Sequence, residues 1–212
     1  MLFAAFADFA DAARAGRSMM DLAGPPRVVS LDDARLGPTL PRHRGIVTGA
    51  VTLRAAVDVD AVNAAGACVT GHGGRVTAID PRAMSSLHGS IYNHATLRAR
   101  RLDDRVCALQ VRGWELIEHG DAVRAVLPDA RLHLDGNAPS IHGKGYSGLL
   151  LSTWVDRRTL AEGIEALRAL GVQVISPHTW VLGGHGNLDR LRRVTPTVDP
   201  DGLLNPGKLP AA

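Results

Sequence analysis

"GLLLSTWVDRRTLAEGIEALRALGVQVIS", residues 148–176, reads as strand, helix, strand. "GLLLSTWV" is a short apolar run of strand length. The helix "DRRTLAEGIEALRALG" has Asp156 as its N-cap and Gly171 just past its end, and "VQVIS" returns as a strand. The same unit is written earlier, from Ile46 to Asp80. There "RGIVTGAVTLRA" alternates through Ile46, Val51 and Leu53, "VDAVNAAGACV" is helical with Asp58 as its candidate N-cap, and "RVTAID" is a strand. A repeated strand–helix–strand unit is the pattern of a ferredoxin-like α+β fold, an antiparallel sheet with helices on one face. "SIYNHATLRARRLDDRVCALQVRG" reads as two strands around an "LDD" turn. That hairpin, at Ile91–Val111, implies antiparallel neighbours and disfavours a doubly wound Rossmann sheet.

The remaining segments fit around this frame. Leu2, Phe3, Phe6, Phe9, Ala10 and Ala13 recur at three- and four-residue spacing, which predicts an opening amphipathic helix ending near Gly24-Pro25-Pro26. "RVVSL" and "RLHLDGN" read as strands, "WELIEHGDAVRAVLPDA" as one helix, and "LDRLRRV" as a short one. "APSIHGKGYS" is a polar, Gly-rich loop. No low-complexity linker divides the chain, so residues 1–197 read as one domain and residues 198–212 as a C-terminal tail.

A chain of 212 residues is long enough for a real core, and 45% apolar with 21% charged residues is ordinary for a globular domain. The net charge is only +3 and the arginines are scattered among acids, as in "RARRLDDR", so a nucleic-acid partner is not indicated. No segment reaches the ~18 apolar residues of a membrane span. The opening "MLFAAFADFADAARAG" lacks a basic start and is interrupted by Asp8 and Asp11, unlike a signal peptide. Cys68 and Cys107 sit in apolar surroundings and read as buried free thiols, and the expected setting is the reducing cytoplasm.

Known catalytic and cofactor motifs are mostly missing. "GHGG" (71–74) and "GGHGN" (183–187) lack the GxGxxG context of a dinucleotide cradle, and no phosphate-binding P-loop or GxSxG occurs. His178 and His185 do not form a recognisable metal-ligand set, and no metal is expected. In "IYNHATLRA", Tyr92, His94, Thr96 and Arg98 would share one face of a strand and wall a polar site. "SPHTWVL" would deliver His178 and Thr179 to a sheet edge.

The closing "VDPDGLLNPGKLP", residues 198–210, is rich in turn formers and reads as a strap. It resembles the C-terminal signature of FAD-linked oxidases of the vanillyl-alcohol oxidase type, a group that includes glycolate-oxidase-like and lactate-dehydrogenase-like flavoproteins. "IYNHATLRARRLDDRVCALQV" and "VISPHTWVL" are similar to segments of the cap, or substrate, domain in a bacterial branch of that family. The resemblance implies a sheet that covers a flavin ring and walls the substrate pocket. It implies Tyr92, His94, Arg98 and His178 as catalytic or pocket residues, and Asn205, Gly207 and Lys208 as flavin-side contacts. It further implies oxidation of an alcohol or hydroxy acid with FAD, by a chain inactive alone and joined by a FAD-binding subunit or domain. Two departures stand out: nothing here corresponds to the family's FAD-binding domain, and "GHGNLD" puts Asp189 where some relatives carry a metal-binding His. Two alternatives stay open: a truncated, inactive relic of such an oxidase, or a stand-alone ferredoxin-like module that binds a ligand or protein.

Overall fold

A computed structural model describes residues 1–83, 89–91, 94–136, 145–175, 188–201 and 203. The first half of the chain runs β1 (Leu2–Phe6), α1 (Phe9–Met20), β2 (Val29–Asp32), β3 (Val51–Ala55), α2 (Val62–Gly71) and β4 (Arg75–Ile79). After α3 (His94–Leu102) the order repeats: β5 (Val106–Arg112), α4 (Glu115–Glu118) and α5 (Gly120–Ala125), β6 (Arg131–Gly136), β7 (Tyr146–Thr153), α6 (Arg157–Ala169) and β8 (Gln173–Ile175). Each half is a β-α-β-β-α-β unit, the second with its first helix broken in two.

All eight strands form one antiparallel sheet in the order β4-β1-β3-β2-β6-β7-β5-β8. Read from the centre outward, each half has the same ferredoxin-like order, and the halves meet edge to edge where β2 pairs with β6. The two sequence units are the split pairs of this topology: β3 and β4 flank β1, while β7 and β8 flank β5. Residues Met1–Ile175 make one compact unit; a second, Ser176–Ala212, contains α7 (Leu188–Val198).

Within the first unit, the helices of both repeats cover one sheet face. Leu2, Leu31, Leu53, Leu132, Leu134 and Leu150 point to this side and meet Ala12, Met19, Val69, Leu116, Val123 and Leu167 in one buried cluster. The opposite face carries two smaller apolar clusters, one around Phe3 and Val28, the other joining Leu36, Ala95 and Ala99 to Leu149 and Leu151. Helix α3 and the 3-10 turn Ala34–Thr39 therefore lie on that second face.

Three sequence expectations change. The opening stretch is strand then helix, not one helix. β1 is buried on both faces, with Leu2, Phe3 and Ala4 all inaccessible, and such a strand is a continuous apolar run that periodicity cannot separate from a helix. The helix begins where Asp8 accepts hydrogen bonds from the backbone N–H groups of Ala10 (2.7 Å) and Asp11 (3.1 Å). The expected hairpin at Ile91–Val111 is instead α3 followed by β5. Ala95 and Ala99, four residues apart and buried, give this stretch a helical inner face, and its Ala, Leu and Arg content favours helix. The single helix expected from Trp114 is the pair α4 and α5, interrupted at His119. Asp156 caps α6 as expected, accepting from the Thr159 N–H at 2.7 Å, and Gly171 follows its end at φ 82°. Asp58 precedes a 3-10 turn, Val59–Ala61, that leads into α2, and its side chain makes no capping bond.

At Gly148 the neighbouring backbone leaves no room for a side chain. A Cβ there would overlap the His133 carbonyl oxygen and stand 2.8 Å from the Leu134 Cα, both backbone atoms of the paired strand β6. Neither can move without opening the ladder. Gly148→Ala is expected to destabilise the chain by about 3 kcal/mol, the upper end of overpacking costs. Thermal denaturation should show the midpoint lowered by roughly 6–12 °C; an unchanged midpoint would contradict this packing.

Candidate functional site

The second sheet face is read most simply as rows, because residues paired across strands share a face. One row crosses all eight strands: Ala78, Phe3, Arg54, Ser30, Asp135, Ser147, Arg112, Gln173. The next contains Thr52, Asp32, His133, Leu149, Gln110 and Ile175. The strands at the centre thus alternate apolar residues toward the helices with polar or charged ones toward this face.

Four charged side chains at the centre are linked. Arg54 donates to Asp32 Oδ2 from Nη2 at 2.6 Å and from Nε at 3.2 Å, to Ser30 Oγ at 3.1 Å, and also to Ser90 Oγ. His133 bridges two carboxylates, with Nδ1 2.8 Å from Asp32 Oδ1 and Nε2 3.1 Å from Asp135 Oδ2. All four side chains are at most 1% exposed. Burial alone would discharge His133, but the charges of Asp135 and Asp32 and their hydrogen bonds outweigh it and hold its pKa at about 9. Burial likewise opposes the Asp32 charge, and Arg54 with His133 overcome it, holding the carboxyl below its ordinary range. At neutral pH, two carboxylates are therefore matched by one guanidinium and one imidazolium.

Arg98, on α3, lies beside this network. Its Nε donates to the Thr39 carbonyl, so the 3-10 turn and α3 are tied together above the sheet. Burial, then repulsion from Arg54 and Arg101, lowers its pKa, with the Asp32 charge opposing. His94 stands one turn before Arg98 and is exposed. The expected strand face of Tyr92, His94, Thr96 and Arg98 does not form, because on a helix Thr96 turns away from the other two described residues. Tyr92, His178, Asn205, Gly207 and Lys208 lie outside the described residues.

Asp32, Arg54, His133 and Asp135 escape the sequence reading, although a signal exists. "VSLD", "VTLRA" and "RLHLDG" each interleave polar and apolar residues with period two, and the polar members include charges of both signs. Among the described residues no His, Cys, Asp and Glu cluster suited to a metal ion occurs, and no helix is long and apolar enough to cross a membrane. Cys68 and Cys107 are free and half-buried.

The network makes stability pH-dependent. His133 titrates near 9 folded against about 6.5 unfolded, so its contribution is complete below pH 6.5 and is lost as pH rises through 9. The full loss is about 3 kcal/mol. Urea unfolding of the wild type should weaken steadily between pH 6.5 and 10, and His133→Gln should be less stable at pH 7 and lack that slope. Equal slopes in the two proteins would refute the assignment.

No known family profile matches the chain, and no curated protein does. Solved structures do. Two structures of alkyldihydroxyacetonephosphate synthase superpose on 97% of this chain with TM-scores of 0.59 and 0.60, at 12% and 11% identity. The chain spans 43% of their length. At this identity the likeness is one of fold alone: the eight-stranded α+β architecture resembles that of part of alkyldihydroxyacetonephosphate synthase.

Proposed function

We propose that this chain is the substrate-side portion of a FAD-dependent oxidoreductase acting on an alcohol or hydroxy acid, working with a separate FAD-binding domain or subunit. The observation that carries the reading is fold likeness over 97% of the chain to enzymes of which it spans 43%. The polar second face agrees with a role in walling a site.

The described residues do not suit a dinucleotide. Gly49, Gly73, Gly113 and Gly171 adopt positive φ singly, at turns and element ends, and do not line up as a cradle for a pyrophosphate. FAD in this reading is held mainly by the partner, with Asn205, Gly207 and Lys208 as this chain's contribution. The redox chemistry is then the partner flavin's, and this chain binds, orients and takes a proton. Arg98 suits the binding role, because its Nε is engaged by Thr39, which fixes the guanidinium and leaves the two terminal nitrogens for a carboxylate. His94, one turn away and exposed, is the proposed acceptor of a hydroxyl proton. Tyr92 and His178 are further candidates on the family resemblance alone. Compartment follows from the same reading, with the cytoplasm as its setting.

Tagged chain purified anaerobically from its own cells is expected to bring a flavin-containing partner whose absorbance bleaches when a small alcohol or hydroxy acid is added. In that complex, Arg98→Gln should raise the substrate's KM at least about tenfold with little change in kcat, the loss of one charge-assisted contact. A chain that carries no flavoprotein, or a complex whose flavin no such substrate reduces, overturns the proposal.

A further inference from the structure

We infer that the pocket over Arg112 and Ser147 is a binding site for the oxyanion group, carboxylate or phosphate, of a small molecule. It lies on the second sheet face at the end away from Arg54, with a volume of about 200 Å³. Gln110, Arg112, Ser147, Leu149 and Ile175 line it. Register explains the grouping: Arg112 on β5 sits between Ser147 on β7 and Gln173 on β8, while Gln110 sits between Leu149 and Ile175.

Charge decides what this pocket takes. Across the two rows, the buried carboxylates Asp32 and Asp135 pair with Arg54 and His133. Arg112 stands outside that set, toward the β8 end of the sheet. It is exposed and has no ion-pair partner among the described residues. Asp135, the carboxylate in its own row, is two strands or about 10 Å away and bonded to His133. Glu115, the nearest acid in sequence, lies against Gly113 and Gly171 and makes no ion pair with Arg112.

A guanidinium offers a planar pair of donors that matches an oxyanion. Ser147, paired with Arg112 on the neighbouring strand, also lines the pocket, and its hydroxyl is a further donor. Leu149 and Ile175 give the adjoining row an apolar surface for the rest of a small ligand. The site is separate from the Arg98 position on α3, and it stands whether or not a flavin domain joins the chain.

The test is an amide-resonance titration of the isotopically labelled full chain with sodium phosphate and, separately, sodium acetate, at constant ionic strength held with sodium chloride. Saturable shifts are expected at Gln110–Arg112, Ser147–Leu149 and Gln173–Ile175, and the tighter of the two anions identifies the preferred group. Arg112→Gln should weaken binding at least about tenfold while the remaining spectrum stays dispersed, and Arg112→Lys should retain part of the affinity as a point charge. Absence of saturation with both anions, identical shifts with chloride, shifts confined to α3 around Arg98, or an unchanged titration in Arg112→Gln would each overturn the assignment.

Discussion

The buried pairing of Asp32 with Arg54 and His133 sits where the sheets of the two repeats join edge to edge. β2 and β6 are the inner edges of two four-stranded sheets, joined by only four residue pairs, Val29–Asp32 against His133–Gly136. An edge strand left open is a template for unwanted pairing, and closing each edge with the other removes that hazard. The charges also specify register. Shifting β6 by one residue would turn His133 and Asp135 into the apolar helix side and bring Leu132 and Leu134 out of it, a cost far above any gain from alternative pairing. Tyr146 strengthens the same junction from the other face: a residue of the second repeat, its hydroxyl donates to the Ala13 carbonyl of α1 at 2.7 Å.

How much of this is legible in the residues depends on the kind of pattern each one makes. The units 46–80 and 149–176 are legible, the second most clearly because its helix has marked ends: Asp156 caps α6 and Gly171 stops it. Those two units, one in each half, carry enough topology to give the fold class. The opening is not legible, because Phe3 and Leu2 are both buried and a two-sided strand carries no alternation. Segment 94–102 misleads for another reason: polar residues at alternate positions imitate a strand when the true inner face is only Ala95 and Ala99. Small residues register weakly in any apolar pattern, yet they are what lets α3 approach Leu149 and Leu151.

The site is half legible. Arg98 belongs to a helix where a strand is expected and still stands near the network; residues four apart, like His94 and Arg98, share a face in either structure. The network itself is made of pairs distant in sequence, Asp32 with His133 being 101 residues apart, and no local window contains such a contact. What a window does contain is the period-two interleaving in β2, β3 and β6, which says that the second face is polar without saying what each polar group meets.

Likeness of fold alone leaves function open, since one architecture hosts many chemistries. The chain's own evidence is where it keeps charge. On either side of the network the second face is closed by apolar clusters, around Phe3 and around Leu36 with Leu149, so apolar residues at positions 32, 54, 133 and 135 would continue an existing surface. Replacing buried ion networks by well-packed apolar groups is commonly neutral or stabilising by about 1–4 kcal/mol. Folding alone therefore does not require four charges here. Their arrangement leaves a neutral centre with Arg98 beside it and Arg112 toward the β8 end, two guanidinium groups held over one sheet face. Guanidinium groups held over one face suit it to anionic ligands, because each offers a planar pair of donors that matches an oxyanion.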